Sequence, residues 1–292
     1  MSKIFEALHK AQNPMAEALP PIADVPIRAA AEVEPTPAAA EAIPRATAPD
    51  ADPPAAALRT AKLRPGKKAP VLPFEHWHAA EQYRLFRTRI LQHPQKPRMI
   101  VVSSAGPGDG KSITAINLAG VLALKGDTQV VLIDGDFRRS SISDLLGLPD
   151  GPGLADVLEG SCNLSDALIQ TEEYPNLCVI PAGTSKLNPV ELLDSARWPA
   201  VCAELRGLFQ YLILDSPPVA AVADYDLLSA PSDGVVVVVR PDHSDRAMCL
   251  KVLDGIPRNK YLGVVLNCVP NWFLGKADTY SGYYYSPGSG KS

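Results

Sequence analysis

Long apolar runs, cysteine pairs and an excess of basic residues are all missing from this sequence. No stretch approaches the ~18 consecutive apolar residues of a membrane-crossing helix. The first residues also lack the apolar core of a secretory signal, so a cytoplasmic protein is expected. The five cysteines, Cys162, Cys178, Cys202, Cys249 and Cys268, are scattered and show no C-x-x-C spacing. That excludes a disulfide framework and argues against zinc or redox work, leaving buried thiols as the expectation. Lys and Arg number 28 against 32 Asp and Glu, a formal charge of -4, and without a basic face no nucleic-acid partner is expected.

What is present divides the chain. Residues 13–73 hold nearly half of the 29 prolines among Ala, Glu and small polar residues. Such a mixture buries too little apolar surface to offset chain entropy, so a disordered Pro/Ala-rich arm is expected there. Ahead of it, residues 1–12 place Ile4, Phe5 and Leu8 at helical spacing between Lys3 and Lys10, a candidate docking helix. Residues 74–272 have the size of one domain, and 273–292 read as a flexible tail.

Within the domain, MIVVSS, QVVLID, LCVIPAG, YLILD, GVVVVVR and YLGVVLN are near-continuous apolar runs, the pattern of strands buried on both faces of a parallel sheet. Helical candidates such as KSITAINLAGVLALKG, NPVELLDSARWPAVCAELRGLF and RAMCLKVLDGI lie between them. The order predicts a doubly wound, mostly parallel α/β sheet with ligands at the carboxyl ends of its strands.

The first such end carries SSAGPGDGKS, residues 103–112, followed by a helix. This is the setting of a P-loop, in which backbone N–H groups cradle phosphates, Lys111 reaches the β and γ phosphates and the Ser112 hydroxyl can hold Mg²⁺. Ala105 stands where the strict motif has its first glycine, so the strand-to-helix context carries the reading. The predicted nucleotide contacts are Gly106, Pro107, Gly108, Asp109, Gly110, Lys111, Ser112 and Ile113, with Asn267 at the end of YLGVVLN. Asp134 and Asp136 in VVLIDGDFR and Asp215 in YLILDSPP end two other strands. Together with Ser112 they form a hard-oxygen set suited to Mg²⁺. The terminal GSGKS imitates a P-loop ending, but no strand leads into it and no helix follows.

The tail holds Tyr280, Tyr283, Tyr284 and Tyr285 among glycine, serine and Pro287. Three consecutive rings cannot share one buried face of a helix or strand, so they are expected to be exposed.

Together these segments resemble the Walker A, A′ and B motifs of the bacterial tyrosine kinases of capsule and exopolysaccharide synthesis, in the form without fused transmembrane helices. The D-x-D-x-R run ending at Arg138, the tyrosine cluster, and the segments GLADVLEG, NPVELL and GVVLN carry the likeness from about residue 74 onward. The resemblance implies a P-loop kinase using ATP and Mg²⁺, with the tail tyrosines as phosphate acceptors. Asp134 would orient or deprotonate the phenol, and Lys111 would stabilise the transferred phosphoryl group. Ser112, Asp136 and Asp215, with Asp134 a further candidate, would hold the metal, and Arg138 would add charge or orient its loop.

EQYRLFR places Glu81, Arg84 and Arg87 at the spacing of the family's E-x-x-R-x-x-R oligomerisation motif; an internal Glu81–Arg84 pair on a solvated face is the alternative. Implied partners are a second copy of the chain in a ring, a separate membrane-embedded activator that recruits the protein to the inner face of the membrane, and a cognate tyrosine phosphatase. Two other functions stay open at this level. One is a partition or septum-positioning ATPase, which would place a lysine where Ala105 stands and lack the tyrosine cluster; the other is a nucleotide-binding scaffold of an export complex.

Overall fold

The computed structural model describes residues 58–65, 77–219 and 224–269. The docking-helix segment, most of the arm and the tail tyrosines lie outside them. One eight-stranded sheet organises the described residues. Its longer strands are β2 (Met99–Ser104), β3 (Val130–Asp134), β5 (Leu177–Ile180), β6 (Tyr211–Asp215), β7 (Gly234–Val239) and β8 (Tyr261–Leu266). With β1 (Arg59–Ala61) and β4 (Ile169–Thr171), the order across the sheet is β1-β4-β5-β3-β6-β2-β7-β8. Every pairing is parallel except that of β4 with β5, and the mostly parallel, doubly wound reading holds.

The continuous apolar runs arise because alternate residues enter different cores. In β2, Met99 and Val101 face one core and Ile100 and Val102 the other, and β3, β6 and β7 divide in the same way. Helices α1 (Trp77–Leu91), α2 (Lys111–Ala123) and α3 (Ile142–Leu146) pack on one face. On the opposite face lie α4 (Leu154–Glu159), α5 (Leu164–Ala167), α6 (Pro189–Leu193), α7 (Arg197–Leu208), α8 (Asp224–Ser229) and α9 (Arg246–Gly255). Each fully buried Val, Leu or Ile contributes about 1.5–3 kcal/mol, which keeps the strand ends fixed relative to one another.

Three expectations need correction. Residues 58–65 fall in the segment expected to be a disordered arm, but β1 pairs with β4 through Arg59, Thr60 and Ala61, and Ala61 and Leu63 are buried. Local composition missed them because their partners lie more than a hundred residues away. The NPVELLDSARWPAVCAELRGLF segment is two helices, α6 and α7, and the Ser195 hydroxyl donates to the Leu192 carbonyl at the break (2.7 Å). Among the thiols, Cys178, Cys202 and Cys249 are buried, but Cys268 is exposed and Cys162 half-buried. Burial pushes Cys178 up to about 11 and Cys202 up to about 12. No described helix is long and apolar enough to cross a membrane.

Candidate active site

The ends of β2, β3 and β6 converge, as a doubly wound sheet requires at its switch point. After β2 the chain turns through the glycine-rich loop into α2. Gly108 (φ 86°) and Gly110 (φ 94°) adopt left-handed backbone that other residues reach only with strain. Among the described residues no side chain caps the first turn of α2, which leaves its N–H donors and positive dipole end open to an anion.

Lys111 reaches across this loop to the carboxylates. Its Nζ lies 2.7 Å from Asp136 Oδ2, 3.6 Å from Asp215 Oδ1 and 3.4 Å from Ser112 Oγ. Burial alone would lower the Lys111 pKa, but Asp215 and Asp136 outweigh it and raise it. The ammonium therefore stays charged.

The three aspartates are brought together but held differently. Asp134 Oδ1 accepts the Asp136 N–H (3.2 Å), and its Oδ2 accepts those of Ser141 and Ile142 (3.1 Å each). Burial pushes its carboxyl up, to about 6, and those three bonds pull it back. Asp136 binds Lys111 through Oδ2 and accepts the Arg139 N–H through Oδ1 (3.0 Å). Asp215 is fully buried, and neither of its oxygens has a hydrogen-bond partner among the described residues. Burial raises its carboxyl to about 7, with Lys111 the largest opposing influence.

Arg138 departs from its expected catalytic place. It forms a two-pronged pair with the buried Asp224 at the start of α8 (2.6 and 3.1 Å), which ties the 135–141 loop to the opposite helix layer. Of the two roles expected of it, orienting the loop fits this geometry. Of the expected nucleotide contacts, Asp109 turns inward: its Oδ2 accepts the Gly106 N–H (3.2 Å) and its Oδ1 the Ser244 hydroxyl (2.7 Å). Asn267 Nδ2 donates to the Asp109 carbonyl (2.9 Å), and His243 Nε2 lies 3.1 Å from the Pro107 carbonyl. Gly106 faces open space.

Sequence reading missed Ser244, His243 and Asp224. The first two follow β7, so the rule that put Lys111 after β2 could have found them. Asp224 has no local signal. Glu81 and Arg84 form the internal helical pair (3.0 Å) on the exposed side of α1. Arg87 instead donates to the Val121 carbonyl in the last turn of α2 (2.9 Å), a favourable place for a cation.

Known proteins resemble this chain in sequence and in fold. The sequence model of the AAA domain family matches residues 97–253. The tyrosine-protein kinase YwqD of Bacillus subtilis is 33% identical over 192 residues, covering 64% of this chain and 80% of that protein. The chain belongs to the bacterial tyrosine kinases. Another relative is the tyrosine-protein kinase CpsD of Streptococcus agalactiae, 30% identical over 72% of this chain and 87% of its own. Among solved structures, the chimerical protein CapA2B2 superposes with a TM-score of 0.65 at 31% identity, covering 72% of this chain and 93% of the other. As a bacterial tyrosine kinase, the protein transfers phosphoryl groups from ATP to tyrosine. The relatives set aside the positioning-ATPase and idle-scaffold alternatives.

Proposed function

We propose that the chain is an ATP-dependent autokinase that phosphorylates Tyr280, Tyr283, Tyr284 and Tyr285 on neighbouring copies of itself, and so regulates polysaccharide polymerisation and export with a membrane-embedded activator and an opposing tyrosine phosphatase. The observation that carries the reading is Lys111, held charged between Asp136 and Asp215 at the start of an uncapped helix. A cation there stabilises charge spreading over the transferred phosphoryl oxygens.

A divalent cation suits the donor set. Asp215 offers two buried oxygens without hydrogen bonds among the described residues, and a hard ion would relieve the desolvation that raises its pKa. Asp215, Asp136 and Ser112 would hold Mg²⁺, which when bound neutralises phosphate charge. Asp134 has given its oxygens to backbone N–H groups, so it holds the 135–141 loop; Asp136, two residues on and seated against Lys111, is the better placed acceptor for a phenol proton. The rim of Pro107, His243 and Asn267 borders the nucleotide loop.

Phosphorylation would also act on assembly. Each phosphotyrosine adds about -1.5 to -2 charges, so four exceed the chain's formal -4 and repel a tail from the acidic site it must enter.

The test mixes a Lys111→Met chain with an active chain lacking residues 273–292 in Mg·ATP and reads phosphotyrosine by mass spectrometry. Modified tyrosines on the Lys111→Met chain are expected. Their absence, with the wild type active, would exclude transfer between subunits. Wild-type activity in Lys111→Met alone would overturn the site.

A further inference from the structure

Only three residues of β1 pair with β4, yet the bonds of segment 58–65 reach well beyond that ladder. The Arg64 N–H donates to the Leu146 carbonyl (2.8 Å), the last of α3. The Leu63 N–H donates to Glu173 Oε2 (3.0 Å), and the Arg59 guanidinium spans the carbonyls of Asp150 (3.2 Å) and Asp166 (3.3 Å). Ala61 and Leu63 enter the same core as Ile142 and Leu146. Gly147 ends α3 in left-handed backbone (φ 65°), and a side chain there would stand 2.5 Å from the Arg64 carbonyl. The segment is thus fitted to the far end of α3.

The near end of α3 is the part bound to Asp134, through the N–H groups of Ser141 and Ile142. Five residues make a rod of only about 7.5 Å, with one internal turn and no length in which to absorb a shift. The loop leading into it carries Asp136, whose carboxylate meets Lys111 at 2.7 Å.

We infer that residues 58–65 are a positioning strap for phosphoryl transfer: clamped on the far end of α3, they hold the 135–141 loop and so keep Asp136 seated against Lys111. The strap touches no reacting group and acts through α3. It is also the point at which the residues preceding Leu58 join the catalytic domain. Any partner that binds those residues therefore has a mechanical route to the loop. The inference rests on the role proposed for Asp136, and its test reads loop order separately from activity.

In the full-length protein, Leu63→Asp places a charge in the core position that anchors the strap, whereas Leu63→Met conserves volume. A misplacement of about 1 Å at a reacting centre can cost ~10²-fold in rate. Leu63→Asp is accordingly expected to lower the phosphorylation rate at saturating ATP at least tenfold, with nucleotide affinity changed less than threefold. Hydrogen-exchange protection of Ser141 and Ile142 should fall at least tenfold, and Leu63→Met should keep both. Loss of protection confined to β4 with an unchanged rate would leave the strap a mere edge strand and overturn the inference. Nucleotide affinity falling in step with rate would overturn it too, as general loosening. Loosened Ser141 and Ile142 with full activity would sink the catalytic link alone, leaving the site itself to the Lys111→Met test. Should Leu63→Asp not fold, Arg59→Ala removes only surface bonds to two carbonyls. It is expected to lower rate and protection together about threefold, and no change in either would refute the strap.

Discussion

Asp134 and Asp215 stand side by side in the sheet, paired in register at the ends of β3 and β6, and both are fully buried. Their chemistry is nonetheless opposite. Asp134 accepts three backbone N–H bonds, whereas Asp215 accepts none among the described residues. A buried carboxylate saturated by its own backbone is part of the architecture. One without such donors at the same depth, with the Lys111 ammonium 3.6 Å away, is where we propose that a cation binds.

The largest effect should therefore separate the two. Asp215→Asn is expected to lower phosphotyrosine formation by about 10²-fold or more without lowering the stability of the metal-free protein. Because the folded-state pKa of Asp215 is raised, to about 7, against an ordinary carboxylate near 3.8, the folded protein binds a proton that the unfolded chain has released between those values. Stability thus falls as pH rises through that window. The substitution should raise the thermal midpoint most above pH 7 and progressively less toward pH 4. In the wild type, Mg²⁺ affinity measured by calorimetry should tighten as pH rises through about 7, with proton release. A pH-independent affinity would remove Asp215 from the metal set.

Next in size, Asp134→Asn keeps the shape but turns one acceptor into a donor facing backbone N–H groups. An unsatisfied buried group of this kind costs about 1–3 kcal/mol, readable by urea unfolding. If Asp134→Asn proves fully stable and wholly inactive, the contrast fails and Asp134 is the base.

A smaller effect belongs to Arg138. Arg138→Ala should lower the rate about tenfold by freeing the 135–141 loop. Combined with Asp224→Ala it should cost little more than either change alone, because the two residues form one contact. Additive losses would return Arg138 to a direct role at the phosphates. Smallest of all, Glu81→Ala breaks an exposed helical pair and should change stability by less than about 0.5 kcal/mol. Light scattering on the same variant reads assembly: a reduced mass would give Glu81 an intersubunit partner, and an unchanged one would leave only the internal pair.

Much of this was legible without coordinates. Buried parallel strands announce themselves as unbroken apolar runs, and Lys111, Asp134, Asp136 and Asp215 followed from standing at strand ends. What could not be read was how each carboxylate is satisfied, since the donors to Asp134 come from a loop whose path depends on α3. β1 and β4 were hidden by brevity: three residues carry no periodicity, and β1 lies in proline-rich surroundings. The Arg138–Asp224 bond joins residues far apart in the chain, and no spacing rule connects them.

The in-register pairing of β3 with β6 also constrains how this family can drift. Equivalent residues on adjacent strands sit about 4.8 Å apart, so the two acids act as marks on one ruler. Both strands are apolar on both faces ahead of their terminal aspartates, and a slip by one residue would mostly exchange one aliphatic side chain for another at modest packing cost. It would, however, send one carboxylate to the opposite side of the sheet. Single-residue insertions or deletions within β3 or β6 should then yield soluble, folded chains that have lost the reaction, while the same changes between Gly183 and Asn188, in the connection after β5, leave the ruler intact.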